Sequence, residues 1–304
     1  MSAPLLFSAA GPWWLDNLLG LQFQWLLAAA LSVALGLVFY RRLTAWLLPL
    51  IALPGLLNMA PFYLPSDVQS ATTPELKIGQ LNIRYHNPHA ARIFASLVED
   101  DFDLLAISEI ADHRVGELAQ LSAHYPYSLG SNSLQGYSQG HVLLSKWPLQ
   151  NAIIHDLGYA GGKIIEARLA LPHLDEPVRI LALHPGAPRS NQLWRMRNAT
   201  LSFVADLVAD SDLAHQIVVG DLNVSPWSPV FKRLLKRAEL INTGVGFGYH
   251  PTWAQFNQNA VSRWLSGAYI DHCLTTTAFA LRGKQTRVVP GSDHLLVITE
   301  LDPL

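Results

Sequence analysis

The sequence predicts an α+β fold with packed sheets, preceded by an apolar N-terminal region. Three observations predict it. From Leu76 to the C-terminus, short apolar strand patterns follow one another without strict βαβ alternation, which fits two or four packed layers better than a doubly wound sheet. The first 65 residues instead hold two long uncharged runs. And several strand patterns end on a polar residue, where an apolar or turn residue would be the simpler choice.

The N-terminal runs come first. Leu18 to Tyr40 reads LLGLQFQWLLAAALSVALGLVFY and carries no charge. At about 1.5 Å per residue a helix over 18–40 crosses a hydrocarbon core of roughly 30 Å. Leu43 to Leu64 is also uncharged but contains Pro49, Pro54 and Pro61, which a membrane helix tolerates better than a soluble one. Residues 1–65 are therefore read as a membrane anchor with two transmembrane helices, 18–40 and 43–64. Arg41 and Arg42 lie between them, and the positive-inside rule places that loop in the cytoplasm. The expected location is the inner membrane of a bacterium, multi-pass, with the catalytic domain in the periplasm. SDVQSATTPE, 66–75, reads as a linker, and 76–304 as the globular domain.

Composition agrees with a chain partly out of water: 304 residues, 50% hydrophobic and only 14% charged. The net charge of -2 offers no basic excess for gripping nucleic acid. A single cysteine, Cys273, excludes an intrachain disulfide framework.

Strand patterns lie at LKIGQLNI, DLLAIS, HVLLS, KIIEARLAL, VRILALH, QIVVGD, YIDHCLT and LLVITEL, and helical patterns at 89–100, 112–123, 190–209 and 228–238. The strand ends supply Asn82 in QLNIR, Glu109 in AISEI, His184 in LALHPG, Asp221 and Asn223 in GDLN, and Asp271 in YIDHCL. Asp293 and His294 of GSDHLLV precede the last strand. Each is costly to bury alone, and together they point to one convergent site.

GDLN and SDH, with QLNI, the Glu after a strand and PTW at 251–253, run in an order that resembles the endonuclease/exonuclease/phosphatase family, the fold of DNase I and the abasic-site endonucleases. The resemblance spans Gln80 to Val297. It implies a four-layer α/β/β/α sandwich and a metal-dependent phosphoric ester hydrolase.

The chemistry is consistent with that resemblance. Phosphoester hydrolysis needs a hard cation, an activated water and stabilised transition-state charge. Oxygen donors without thiolates suit Mg²⁺ or Mn²⁺. Glu109 is the expected metal ligand, with Asn82 beside it as ligand or phosphate contact and Asp293 as a further or outer-sphere partner. Residues i and i+2 of a continuing strand share a face, so Asp221 and Asn223 are both expected to meet the phosphate. Asp221 orients or deprotonates the water, and Asn223 donates its amide; a strand-ending Asx turn is the alternative for this pair. His294 contacts the phosphate with Asp271 holding its ring, and either that histidine or Asp221 is the general base. The resemblance gives His184 a phosphate contact from the opposite side or a role at the leaving group.

Other candidates carry less. His86 and His89 flank a proline and read as a helix-start turn, and His272 points away from Asp271. Arg84, at i+2 from Asn82, faces the site or the solvent. Arg189, Arg195 and Arg197 read as a solvated helix face. Trp253, with Phe256 and Trp264, reads as a substrate wall, a core cluster or a membrane-facing group.

The expected substrate is a phosphate ester, with lipid or lipid-linked esters favoured by the anchor. A tethered extracytoplasmic nuclease acting on DNA or RNA is the alternative, disfavoured by charge. A catalytically inactive scaffold is the alternative of another class.

Overall fold

The computed structural model describes residues 12–39, 44–64, 75–130, 140–255 and 259–304. The expected linker lies outside these residues except Glu75, as do Arg41, Arg42 and Phe256.

Helices α1 (Trp13–Leu19), α2 (Gln22–Phe39) and α3 (Thr44–Tyr63) come first. Then follow β1 (Leu76–Asn82), α4 (Ala90–Glu99), β2 (Leu104–Ser108), a 3₁₀ turn (Asp112–Leu118), α5 (Ala119–Ser122), β3 (Tyr127–Leu129), β4 (His141–Ser145), β5 (Leu149–Asp156) and α6 (Gly158–Gly161). The second half holds β6 (Lys163–Leu169), β7 (Val178–Leu183), α7 (Asn191–Ala209), β8 (Gln216–Asp221), α8 (Pro229–Arg237), β9 (Ile241–Asn242) and β10 (Trp253–Ala254). It closes with α9 (Ala260–Ser266), β11 (Gly267–Ala268), β12 (Asp271–Thr275), β13 (Phe279–Val288) and β14 (Leu295–Pro303).

Two mixed six-stranded sheets form, ordered β13-β14-β1-β2-β4-β3 and β5-β6-β7-β8-β12-β9. The pairs β1–β2 and β7–β8 are parallel; their neighbours are antiparallel. Alternation along each strand builds the layers. Leu104 and Ala106 of β2 face the second sheet, while Leu105 and Ile107 face α4 and its Ile93, Phe94 and Leu97. Likewise Ile217 and Val219 of β8 point between the sheets, while Val218 meets Leu201, Val204 and Val208 of α7 and Phe231 of α8. The result is a sandwich of two sheets with helices outside both.

The residues facing the gap turn polar toward one end of the sandwich. Along β1 the inward series is Leu76, Ile78, Gln80, Asn82; along β7 and onward it is Ile180, Ala182, His184; along β8 it is Ile217, Val219, Asp221. The β12 partner of Asp221 is Asp271. The apolar gap and the polar site are thus one continuous face, divided by residue type alone.

The N-terminal region departs from expectation at its first run. Residues 18–40 are not one helix: the chain bends by 75° between α1 and α2, so Leu18 and Leu19 belong to α1. Gly20 sits at the corner, where an added Cβ would lie 3.1 Å from the Asn17 carbonyl oxygen and 3.7 Å from Ser225 Cβ of the sandwich. No single helix among the described residues is long and apolar enough to cross a membrane, but the bent pair α1 and α2 together meets that length and composition. Helices α2 and α3 pack closely at Gly55, where a Cβ would lie 2.6 Å from Leu26. Their base joins the sandwich through Phe23, Leu26, Met59 and Phe62 against Trp227, Tyr249, Trp264 and Tyr269. Trp264 therefore belongs to this packing cluster. The Trp227 indole also donates to the Asn58 carbonyl at 3.2 Å.

Candidate active site

The site is assembled where the inward polar residues meet. Asn82 at the end of β1 donates one amide hydrogen to Glu109 Oε1 (2.9 Å) and another to Asp221 Oδ2 (3.1 Å), while its oxygen accepts from the Arg84 backbone N–H. It holds two carboxylates of different strands at a fixed separation. Glu109 follows β2 with φ 59°, a left-handed conformation that aims the side chain back into the site, where Oε2 accepts from the Tyr85 backbone.

At the end of β8, Gly220 has φ 148° and its Cα approaches the Leu183 carbonyl so closely that a Cβ would lie 1.9 Å from that oxygen. The strand then stops. The Asn223 N–H folds back to Asp221 Oδ1 at 3.0 Å with Asn223 at φ 49°, so an Asx turn forms. Asp221 and Asn223 both line the cleft, but through the turn and not through strand alternation. The Asn223 amide spends one hydrogen on the Pro185 carbonyl (2.9 Å) and keeps a second.

His184, buried after β7, sets Nε2 3.5 Å from Asp221 Oδ2 and 3.7 Å from Glu109 Oε1, and its Nδ1 has no hydrogen-bond partner among the described residues. Burial opposes its charge, but Asp221 and Glu109 outweigh burial and raise its pKa. His294 sets Nδ1 2.9 Å from Asp271 Oδ2, with Nε2 3.7 Å from Asp221. Here too burial opposes protonation, and the carboxylates of Asp271 and Asp221 override it, pushing the ring up to about 10. Asp271 is fully buried and pinned by Gln80 Nε2 at 2.9 Å; burial would raise it, but His294, Thr252 and Gln80 hold it below the usual carboxylate range. Glu109 is held low in the same way, burial being outweighed by His184, Asn82 and His294.

Asp293 accepts from the Trp253 indole at 3.0 Å, and both line the cleft, so Trp253 positions a carboxylate as well as forming a wall. Arg84 and Arg189 are exposed residues on the cleft.

One expectation needs correction. Arg197 is not solvated: it is buried, donates to the Asn223 carbonyl, and pairs with Asp16 of α1 at 2.5 Å. It stands behind the GDLN turn. Arg195 is exposed as expected. The residues that reading by strand ends misses are Gln80, Arg197 and Asp16. Gln80 had a signal, since it lies two residues before Asn82 on the same face. Arg197 and Asp16 had none beyond Asp16 being a lone acid beside an apolar run.

Asp221, Asp271 and His294 lie close enough together to suggest a metal site. Their bonds argue otherwise: His294 directs both ring nitrogens at carboxylates, and Asp271 is already committed to His294 and Gln80. The donors suited to a hard cation are Glu109 and Asp293, with the remaining lone pair of the Asn82 oxygen. A hard divalent cation takes oxygen ligands and retains waters, and this set fits it.

His272 lies out of phase on β12 and is directed away, to the Val224 carbonyl at 2.8 Å. Burial depresses it to about 3. In the unfolded chain it titrates near about 6.5. Below that pH the unfolded state takes up a proton that the folded state refuses, so stability falls by about 1.4 kcal/mol per pH unit until about pH 3, and the group has no effect above the unfolded pKa. Unfolding of the native chain and of His272→Gln at pH 7.5 and pH 5 should show the native chain losing about 2 kcal/mol more. Equal losses would mean the imidazole is not held neutral.

The endonuclease/exonuclease/phosphatase family description matches residues 79–294. Solved structures share the fold. An endonuclease/exonuclease/phosphatase from Beutenbergia cavernae is 19% identical, with 75% of this chain and 71% of that one covered and a TM-score of 0.58. Sphingomyelinase C from Streptomyces griseocarneus is 18% identical over 75% and 99%, TM-score 0.53. A mannosyl-6-phosphatase from Bacteroides thetaiotaomicron is 15% identical over 74% and 99%, TM-score 0.57. No curated protein matches the chain. The order of strand-end residues, the two-sheet sandwich and the match over most of the chain agree: this protein belongs to the endonuclease/exonuclease/phosphatase family.

Proposed function

We propose that the chain is a membrane-anchored, divalent-cation-dependent phosphoester hydrolase that acts on lipid-borne phosphate esters. The observation that carries the hydrolase reading is the convergence of Glu109, His184, Asp221 and His294 on one cleft, with Asn82 bridging Glu109 and Asp221.

The roles follow from position. Glu109 and Asp293, with Asn82, would hold Mg²⁺ or Mn²⁺, which when bound supplies Lewis-acid stabilisation of phosphoryl charge. Asp221 orients the attacking water and takes its proton. The water oxygen bonds to phosphorus as the ester P–O bond breaks in line. His294, locked through Nδ1 onto Asp271, offers Nε2 as a donor to a phosphoryl oxygen, and the free amide hydrogen of Asn223 offers another. His184 stands across the site, where it donates to the phosphate or protonates the departing ester oxygen.

Anchoring is supported by the α2–α3 hairpin. Leu31, Leu35, Val38, Leu53, Leu56 and Leu57 are exposed on it, and none of its neighbours in the sandwich covers them. A surface of this kind is normal against lipid and costly against water. Arg41 and Arg42, between the two apolar runs of the sequence, favour an outward-facing catalytic domain. The resulting location is the inner membrane with the site in the periplasm.

The test uses the full-length chain in mild detergent with Mg²⁺, on mixed phospholipids and, separately, on plasmid DNA and RNA. Expected is lipid phosphoester turnover that is lost on chelation and in Glu109→Gln, with the nucleic acids intact. Nucleic-acid cleavage lost in Glu109→Gln would make the protein a tethered nuclease. Binding of Mn²⁺ without any turnover would support a retired scaffold.

A further inference from the structure

The geometry points to the corner between α1 and α2 as the specificity-determining wall of the active site, with Leu18 and Leu21 holding an alkyl group carried by the phosphoester. This rests on the phosphoester reading above and adds which part of the chain selects the substrate.

The cleft that contains Glu109, His184, Asp221 and His294 has a volume of about 770 Å³. That is the size of a site for a whole organic ligand, so a phosphate occupies only a fraction of it. The wall contributed by the N-terminal region consists of Asp16, Asn17, Leu18, Gly20 and Leu21. Facing them are Leu193 of α7, Val224, Ala268 and Ile270. Leu18, Leu21, Leu193 and Ile270 are only half-buried, so apolar surface remains open to the cleft. The acid at this end, Asp16, is neutralised by Arg197 and also accepts from the Trp194 indole at 2.8 Å. Arg84 and Arg189 also line the cleft and suit the charged end of an occupant, whereas Leu18, Leu21, Leu193 and Ile270 would bury the methylenes of an alkyl chain.

The wall is fixed in place. Besides the Asp16 bonds, the Asn17 amide donates to the Pro188 carbonyl at 2.9 Å, in the loop that follows His184. Gln24, just inside α2, donates to the carbonyls of Trp264 and Gly267. Past the 75° bend, α2 continues directly into the hairpin with the exposed leucines.

The test is competition binding, independent of turnover. Butyl phosphate and octyl phosphate are titrated against Mn²⁺-loaded full-length protein in one detergent, following the water-relaxation signal of bound Mn²⁺. Native protein is compared with Leu18→Asn/Leu21→Asn and, from the facing wall, with Leu193→Asn. Thermal unfolding confirms that each is folded. Octyl phosphate should bind the native chain at least about tenfold more tightly than butyl phosphate relative to the double variant, because several methylenes leave water. Partition into detergent cancels in that comparison. Should the double variant fail to fold, Leu193→Asn carries the same expectation. An octyl-to-butyl ratio that is equal in native and variant proteins overturns the subsite while leaving the phosphoester reading standing. If neither phosphate perturbs bound Mn²⁺ in folded protein, the phosphoester reading falls and the subsite with it.

Discussion

Asp221→Asn should lower turnover by about 10²- to 10⁴-fold, the range expected when a positioned general base is lost. The carboxylate is the hub of the site. Its Oδ1 closes the GDLN turn on the Asn223 N–H, and its Oδ2 lies within 3.1 Å of the Asn82 amide and 3.5 Å of His184. Asparagine keeps the size and one carbonyl oxygen, so the turn survives. What it loses is the charge that faces His184 and His294 and the ability to accept a proton from water. The effect should therefore fall mainly on kcat, with a smaller loss of stability of about 1–3 kcal/mol because the buried Asn82 amide loses its acceptor. A kcat within about tenfold of the native value would remove Asp221 from the proton-transfer role.

Asp16→Ala should cost about 3–5 kcal/mol of stability, because it strands a buried guanidinium without its counter-charge. Side-chain exposure is 1% for Arg197 and 8% for Asp16, so water does not replace the lost partner. Burial already depresses the Arg197 pKa, and Asp16 is the group that opposes it. The consequence reaches the chemistry, since the same guanidinium donates to the Asn223 carbonyl and braces the turn that presents Asp221. Thermal unfolding in detergent reads the first effect. The second appears as a fall in kcat measured well below the variant's melting temperature. Asp16→Asn retains an oxygen acceptor and should recover part of both. Unchanged stability in Asp16→Ala would show that α1 does not dock through this pair.

Several parts of this architecture can be read without coordinates. Period-two alternation in LKIGQLN and QIVVGD marks strands with one face between sheets, and the point at which that face turns polar marks the site. Buried central strands are legible because both faces are apolar. The edge strands β5 and β13 are not, since their side chains are mostly half-buried or exposed and leave no apolar run. The bend at Gly20 is equally silent, because an uninterrupted apolar run carries no signal of direction.

From the order of its residues alone, the chain determined its family, its two kinds of region, and which strand ends carry carboxylate, amide and imidazole. Local alternation and residue chemistry suffice for that. Only the tertiary structure decided that the GDLN turn closes on itself, that Arg197 is buried behind it, and that α1 is a wall of the cleft. Those outcomes depend on contacts between Asp16, Pro188, Arg197 and Asn223. Their partners are separated by many residues along the chain, and pairwise burial over such distances leaves no periodic mark in the sequence.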